Sequence, residues 1–242
     1  MPERNAHDLV VILWDVDRTL VDTAGFGREV FADAFLALHG RPMGAFVDTA
    51  GRTDLAILAE TLTLNDVAHT GPYLAYFEAI TAAAQARAAL VAETGRALPG
   101  AAETIAALAA PDVVQTVVTG NLRAIAHLKL AAFGLHERLD FEVGGYGDDH
   151  HDRAELVRLA HRRIQAEYRT TVAPHRLIVI GDTVHDVKGA LDTGALAVGV
   201  ATGGTTADDL RRAGAHIVVD DLTDPAGLRA AIREKVDGPR TA

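Results

Sequence analysis

The chain reads as an α/β protein with a Rossmann-like three-layer core, a parallel sheet and an inserted helical cap domain. Three observations carry this reading. Short apolar runs without polar alternation recur through the second half, each followed by a segment of helical period, the pattern of strands covered on both faces. The first such run, Val10-Val11-Ile12-Leu13-Trp14, lies about ninety residues before the next, Val113 to Val118, where a βαβ crossover needs about thirty. The surplus between them is helical in period. Residues 1–21 and 99–242 are therefore assigned to the core, and 22–98 to the cap.

Taken in order, the polar segment Met1 to Asp8 leads into the first strand, which ends at Asp15-Val16-Asp17-Arg18-Thr19. Phe26 to His39 has helical spacing, with Phe31, Phe35 and Leu38 on one face, and Gly40-Arg41-Pro42 ends it. Thr53-Asp54 heads a short helix through Leu62. Asn65 or Thr70 opens another helical region, and the alanine-rich stretch Tyr73 to Glu93 is expected as one long helix, broken at Leu98-Pro99-Gly100. Beyond it, helices over 101–109, 122–133, 154–168, 184–193 and 207–213 alternate with strands over 113–118, 141–143, 176–180, 196–200 and 216–219. From Asp237 onward the chain is expected to fray.

Bulk properties narrow the function. The 242 residues are 49% hydrophobic, enough for a sizeable core. A net charge of −10 argues against a nucleic-acid surface, which needs a basic stripe. The absence of cysteine excludes disulfides, thiolate metal sites and cysteine nucleophiles. No apolar run has the length of a signal or membrane segment, so a soluble, cytoplasmic protein is expected. Lysine is scarce, at positions 129, 188 and 235 alone.

The chemistry gathers at strand ends. The first strand runs into Asp15 and Asp17, the second into Thr119-Gly120-Asn121, and a later one into Gly181-Asp182-Thr183-Val184-His185-Asp186. In a parallel sheet these ends share one edge, outside which ligands bind. Several aspartates converging there repel one another by several kcal/mol at contact distance. A hard divalent cation resolves that, and Mg²⁺, which takes carboxylate oxygens together with a substrate phosphate, suits the set.

The ordered set Asp15-x-Asp17-x-Thr19, Thr119-Gly120-Asn121, a basic residue, then Gly181-Asp182-Thr183-x-x-Asp186 resembles the haloacid dehalogenase superfamily over essentially the whole chain. Within it, the chain is similar to the phosphoglycolate-phosphatase-like and β-phosphoglucomutase-like branch. The resemblance implies Mg²⁺ dependence and phosphoryl transfer through an aspartyl phosphate. Asp15 is then the nucleophile and Asp17 the general acid and base, with its backbone carbonyl a metal ligand. Thr119 and the backbone N–H groups at Gly120 and Asn121 bind the phosphoryl oxygens. Asp182 is a direct metal ligand, and Asp186 a second one or the group orienting a metal-bound water. The usual lysine of the third motif is missing, since none lies between Leu130 and Val187, and Arg153 occupies the matching place.

Other features have milder readings beside sharp ones. Asp22 and Thr23 read as hinge or capping residues. Arg52, in Gly51-Arg52-Thr53-Asp54, either reaches the substrate or is a solvated neighbour of an N-cap. His150 and His151 read as part of a solvated loop rather than a second metal site, and Gly203-Gly204-Thr205 as a plain loop, having neither P-loop nor dinucleotide spacing. The expected activity is hydrolysis of a small phosphomonoester, by a monomer or homodimer, with neither nucleic acid nor membrane as partner. A phosphomutase is the nearest alternative and a silent phospholigand-binding protein the next. Dehalogenation needs neither Asp17 nor the metal cluster. Phosphonoacetaldehyde hydrolysis, as the resemblance implies, needs a cap lysine for a Schiff base, which residues 22–98 lack.

Overall fold

The computed structural model describes residues 9–238, so Met1 to Asp8 and residues 239–242 lie outside it. The elements run β1 (Val10–Trp14), β2 (Val21–Asp22), α1 (Phe26–His39), α2 (Asp54–Leu64), α3 (Leu74–Ala86), α4 (Ala88–Thr94) and β3 (Arg96–Ala97). There follow α5 (Ala101–Leu108), β4 (Val113–Val117), α6 (Arg123–Ala131), α7 (Arg153–Glu167), β5 (Leu177–Gly181), α8 (Val184–Leu191), β6 (Leu196–Val200), α9 (Ala207–Arg212), β7 (Ile217–Val219) and α10 (Pro225–Asp237).

Five strands form a parallel sheet in the order β4-β1-β5-β6-β7. The uninterrupted apolar run of β1 is explained by its two covered faces. Val10, Ile12 and Trp14 pack with Ile105 of α5, Leu130 of α6 and Ile232 of α10, while Val11 and Leu13 pack with Leu156 of α7, Val187 of α8 and Leu210 of α9. Burying a side chain of this size contributes roughly 1.5–3 kcal/mol. The indole N–H of Trp14 needs a partner there and donates to Gln115 Oε1 at 2.9 Å. The chain passes from β1 to β4 on one side and to β5, β6 and β7 on the other. That reversal opens a crevice at the carboxyl end of β1.

Helices α1 to α4 enclose a core of their own, built on Phe31 and Phe35 of α1, Leu58 and Leu62 of α2, and Ile80 of α3. Leu122 and Ile125 of the α6 region join it, seating the cap on that helix. The chain enters and leaves the cap through β2 and β3, an antiparallel pair aligning Val21 with Ala97 and Asp22 with Arg96. The Asp22 carboxylate, at that crossing, accepts from Arg96 at 2.8 Å and Arg18 at 3.0 Å.

Several expectations need correction. The long helix over 73–93 is two, α3 and α4. The break is at Arg87 (φ −102°, ψ 8°), whose guanidinium reaches Asp33 and Glu29 of α1. Asn65 does not open a helix. It ends α2, and its amide binds Gly44, Ala45 and Thr61. The strand expected over 141–143 is a turn, because Glu142 N–H bonds back to Asp140 Oδ1, and pairing is reduced to one bridge between Gly145 and Val118. Helix α10 was not anticipated and runs through Asp237, the first residue of the stretch expected to fray, the last four of which, 239–242, lie outside the described residues. Its signal was present: Asp224 as N-cap, Pro225 in the first turn, and Leu228, Ile232 and Val236 at fourfold spacing. Among the described residues no helix is long and apolar enough to cross a membrane.

Candidate active site

The polar residues begin where the strands stop. β1 delivers Asp15, its N–H bound to Ile180 O at 2.8 Å, and β4 delivers Thr119 through Val118. β5 ends in Gly181 and hands on Asp182. Asp186 lies one turn into α8, where Thr183 and Asp186 form a capping box, each side chain bonding the other's backbone N–H. Arg153 opens α7, capped by Asp152.

Oxygen atoms of Asp15, Asp182 and Asp186 all lie within 4.8 Å of one another, and the three residues are buried. Burial pushes the Asp15 carboxyl up to about 7, with Asp186 adding to the rise and Arg153 opposing it. Burial likewise pushes Asp182 up to about 8, reinforced by Asp15 and Asp186. An all-carboxylate cluster that resists ionisation by itself is a fit for a hard divalent cation, whose charge removes that resistance. Asp15 and Asp182 have oxygens to offer it. Asp186 is more committed: one oxygen accepts from Arg153 Nε (2.8 Å) and Nη2 (2.5 Å), the other from Thr183 N (3.1 Å) and Oγ1 (2.6 Å). The loop after β6 closes this side. A Cβ on Gly203 would stand 1.7 Å from Asp182 Oδ2, so the loop set aside as plain owes its glycine to the acid it backs.

Arg153 binds both ends of the cluster, its Nη2 donating to Asp15 Oδ1 at 2.6 Å as well as to Asp186. Burial opposes its charge, and Asp186 and Asp15 together more than offset it. Nη1 remains buried without a hydrogen-bond partner, a donor available to an anion at Asp15.

Asp17 lies outside the cluster. Lys129 Nζ bonds both its carboxylate oxygens, at 2.8 and 2.7 Å, and Asn121 Nδ2 donates to one at 2.7 Å, with Thr23 Oγ1 at 3.5 Å. Burial pushes the Asp17 carboxyl up, but Lys129, Asn121 and Thr23 together hold it below the ordinary carboxylate value. Its carboxylate is therefore no metal ligand, which leaves only its backbone carbonyl for that purpose. Thr119 Oγ1 accepts from Asn121 N (3.3 Å) and Nδ2 (2.9 Å), so its own proton is free to donate.

The Asn121 side chain, whose backbone N–H was the expected phosphoryl donor, and Arg52, expected either to reach the substrate or to flank an N-cap, both have partners within the protein, and Thr53 beside Arg52 does cap α2. Both Asn121 donors and its carbonyl hold Thr119, Asp17 and Lys129. Arg52 lines the cavity, but its guanidinium pairs with Glu60 at 2.5 Å and donates to Asp48 O. Gly120 packs against the cap: its carbonyl accepts from Asp54 N at 2.6 Å, and an added Cβ would stand 2.0 Å from Arg52 O. Asp54 Oδ2 accepts from Leu122 N at 2.8 Å, and burial pushes this carboxyl up to about 7. His150 and His151 stack at 4.3 Å, and among the described residues the only metal-ligand cluster is the aspartate one. Lys129 was missed. Its signal was a lysine spaced with Ile125, Ala126 and Leu130 on the buried face of a helix.

A cavity of about 670 Å³ separates cap and core, lined by Asp15, Asp17, Thr119, Arg153 and Asp182 on one side and Arg28, Phe31, Phe46 and Ile57 on the other. That volume suits a small organic ligand.

Comparison with known proteins follows the same lines. The family model for haloacid dehalogenase-like hydrolases matches residues 12–191. The chain is 28% identical over 238 residues to the probable phosphatase IndB of Dickeya dadantii (strain 3937), with 95% of this chain and 97% of that protein covered. A haloacid dehalogenase family hydrolase from Deinococcus radiodurans R1, solved with bound phosphate and sodium, is 26% identical with a TM-score of 0.55, over 94% of this chain and 96% of that one. A β-phosphoglucomutase from Clostridium difficile has the same fold, with a TM-score of 0.66 at 15% identity over 95% and 97% of the two chains.

Proposed function

The chain belongs to the haloacid dehalogenase-like hydrolases, and from that premise we propose that it is a Mg²⁺-dependent phosphatase of a small phosphomonoester, working through an aspartyl phosphate on Asp15. The observation that carries the proposal is the second carboxylate. Asp17 is held beside the nucleophile by Lys129 and Asn121, a proton-handling group that hydrolysis of a phosphoester needs and dehalogenation does not. The phosphatase relative from Dickeya and the phosphate bound by the Deinococcus hydrolase support the same reading.

In the first transfer an Asp15 carboxylate oxygen attacks phosphorus, the P–O bond to the substrate breaks, and the departing oxygen takes the proton that a monoanionic phosphomonoester brings into the site and Asp17 relays, so that Asp17 is left ionised. In the second, Asp17 takes a proton from the attacking water, whose oxygen bonds phosphorus as the Asp15–phosphorus bond breaks. The ionised form that Lys129 and Asn121 favour is the one the second transfer requires. Arg153 Nη1 and the Thr119 hydroxyl bind phosphoryl oxygens. Asp15 and Asp182, with the Asp17 carbonyl, would hold Mg²⁺, which neutralises charge between the carboxylate and the phosphoryl group.

Hydrolysis is favoured over a mutase by where the partners of Asp17 come from. Lys129 and Asn121 belong to the core and Thr23 to the hinge, so the base stands ready whether or not the cap is closed. A mutase needs its phosphoenzyme to outlast water until an intermediate rebinds. The test is purified protein with Mg²⁺ and p-nitrophenyl phosphate, followed by acid quench. Phosphate release, abolished by chelation, with label trapped on the wild type and none on Asp15→Asn, is the expected result. Release undiminished in Asp15→Asn overturns the aspartyl-phosphate route, and isomerisation of a hexose phosphate outpacing phosphate release overturns the phosphatase reading.

A further inference from the structure

Lys129 is the charged group at this site that the mechanism above leaves without a step. It sits on the sheet-facing side of α6 at 3% exposure, among Ile125, Ala126 and Leu130. A buried ammonium is tolerated only when paired and fully hydrogen-bonded. It has three protons and three acceptors: Asp17 Oδ1 at 2.8 Å, Asp17 Oδ2 at 2.7 Å and Asn121 Oδ1 at 2.8 Å. None is left for a substrate.

Asn121 completes the arrangement. Its carbonyl accepts from Lys129, and its Nδ2 donates both to Asp17 Oδ2 and to Thr119 Oγ1. The orientation of the amide is thereby decided, because the reverse would set an NH₂ against the ammonium. One lysine thus fixes the plane of the Asp17 carboxylate directly and, through Asn121, ties it to the Thr119 hydroxyl. The two groups, beyond the carboxyl ends of the neighbouring parallel strands β1 and β4, become one rigid unit with its anchor in the core helix.

We propose that Lys129 is a positioning residue, which holds the Asp17 carboxylate in the rotamer that exchanges protons with the groups reacting at Asp15. The proposal rests on the phosphatase reading for its catalytic consequence, but its structural claim stands apart from it. The clamp also keeps the lysine from acting as a free amine, so a Schiff base at Lys129 has no place in the chemistry of this chain.

The experiment compares Lys129→Met, Lys129→Arg, Asp17→Asn and the Lys129→Met/Asp17→Asn double variant on p-nitrophenyl phosphate with Mg²⁺, alongside a crystal structure of Lys129→Met. In Lys129→Met the expected kcat loss is about 100-fold, within the range of proton-transfer contributions. The pre-steady-state burst should be retained, with kcat/KM falling less than kcat. The double variant should lie within about threefold of Asp17→Asn, since residues acting as one unit are not additive. Lys129→Arg should recover part of the rate. In the Lys129→Met crystal, Asp17 should be turned away from Asn121. Multiplicative losses in the double variant overturn the proposal, as do a fall in kcat/KM at unchanged kcat or an Asp17 unmoved in the crystal. If the wild type releases no phosphate, the functional reading fails, and the crystal position of Asp17 still decides the role of Lys129. If Lys129→Met does not fold, Lys129→Gln, which keeps a hydrogen-bond donor at the buried position and removes the charge, takes its place with the same outcomes.

Discussion

Asp15 and Asp17 leave one strand two residues apart and meet opposite surroundings. Around Asp15 stand two more buried carboxylates with a single guanidinium among them, and burial and Asp186 raise its carboxyl to about 7. Around Asp17 stand an ammonium, an amide and a hydroxyl, which outweigh burial and hold its carboxyl down. The same side chain is thus made into a centre that calls for a cation and into one that already has its cation. The division is made by remote elements, α7 and α8 for the first acid and α6 for the second.

The sharpest way to break that division is to remove each acid in turn. Asp15→Asn should leave less than about 10⁻⁴ of wild-type kcat, because no carboxylate remains to attack phosphorus. Asp17→Asn should lose about 10²- to 10⁴-fold while binding Mg²⁺ with nearly unchanged affinity by calorimetry, its carboxylate being outside the cluster. Loss of metal binding in Asp17→Asn equal to that of Asp182→Asn would show the two acids to be one centre.

The cations on either side should also differ in what they hold together. Arg153→Met strands Asp15 and Asp186 without a counter-charge at a buried site, which costs about 3–5 kcal/mol. Denaturant unfolding should show that loss, and added Mg²⁺ should recover part of it. Lys129→Met should destabilise less, since the Asp17 side chain keeps 41% of its surface open to the cavity and water can solvate it. Equal losses from the two variants would erase the distinction between the centres.

Much of the Asp15 centre was legible beforehand. Asp15 and Asp182 follow apolar runs of strand length, Asp186 lies in the helix that opens just beyond the second, and a parallel sheet brings such strand ends to one edge. The family resemblance places the third motif's basic residue at Arg153, and the structure sets its guanidinium on Asp15 and Asp186. The Asp17 centre was far less legible. Its lysine is 112 residues away, and although it shares the buried face of its helix with Ile125, Ala126 and Leu130, nothing local names Asp17 as its partner. The two-residue strands β2 and β3 have no periodicity to read and pair across the whole cap. Gly203 was passed over because its requirement lies in Asp182, which no local pattern reveals.

Acidity separates the centres by sign. Asp15 at about 7 and Asp182 at about 8 stand above their ordinary 3.8, so the folded chain retains protons that the unfolded chain has released. Their contribution to stability is fully present below pH 3.8 and is lost as the pH rises towards 8. Asp17 is held below 3.8, so its contribution is present above that value and lost as the pH falls through its lowered one. In chelator, the melting temperature should therefore decline between pH 5 and 8, and millimolar Mg²⁺ should flatten the decline. A decline that persists unchanged in Mg²⁺ would place its origin outside the aspartate cluster.

The cap supplies the gentlest test, because it touches neither acid directly. Gly120 and the α2 N-terminus meet backbone to backbone: Asp54 N donates to Gly120 O at 2.6 Å, and a Cβ at 120 would stand 2.0 Å from Arg52 O. Gly120→Ala must therefore hold the cap off the 119–122 loop, loosening water exclusion and substrate placement. A loss of roughly tenfold in kcat/KM is expected from such a displacement. Because Lys129 and Asn121 hold Asp17 from the core, the ratio of burst to steady-state rate should stay as in the wild type. A Gly120→Ala enzyme that slowed only the steady-state phase would show instead that cap closure sets the Asp17 centre, and that the readiness of its base depends on the lid.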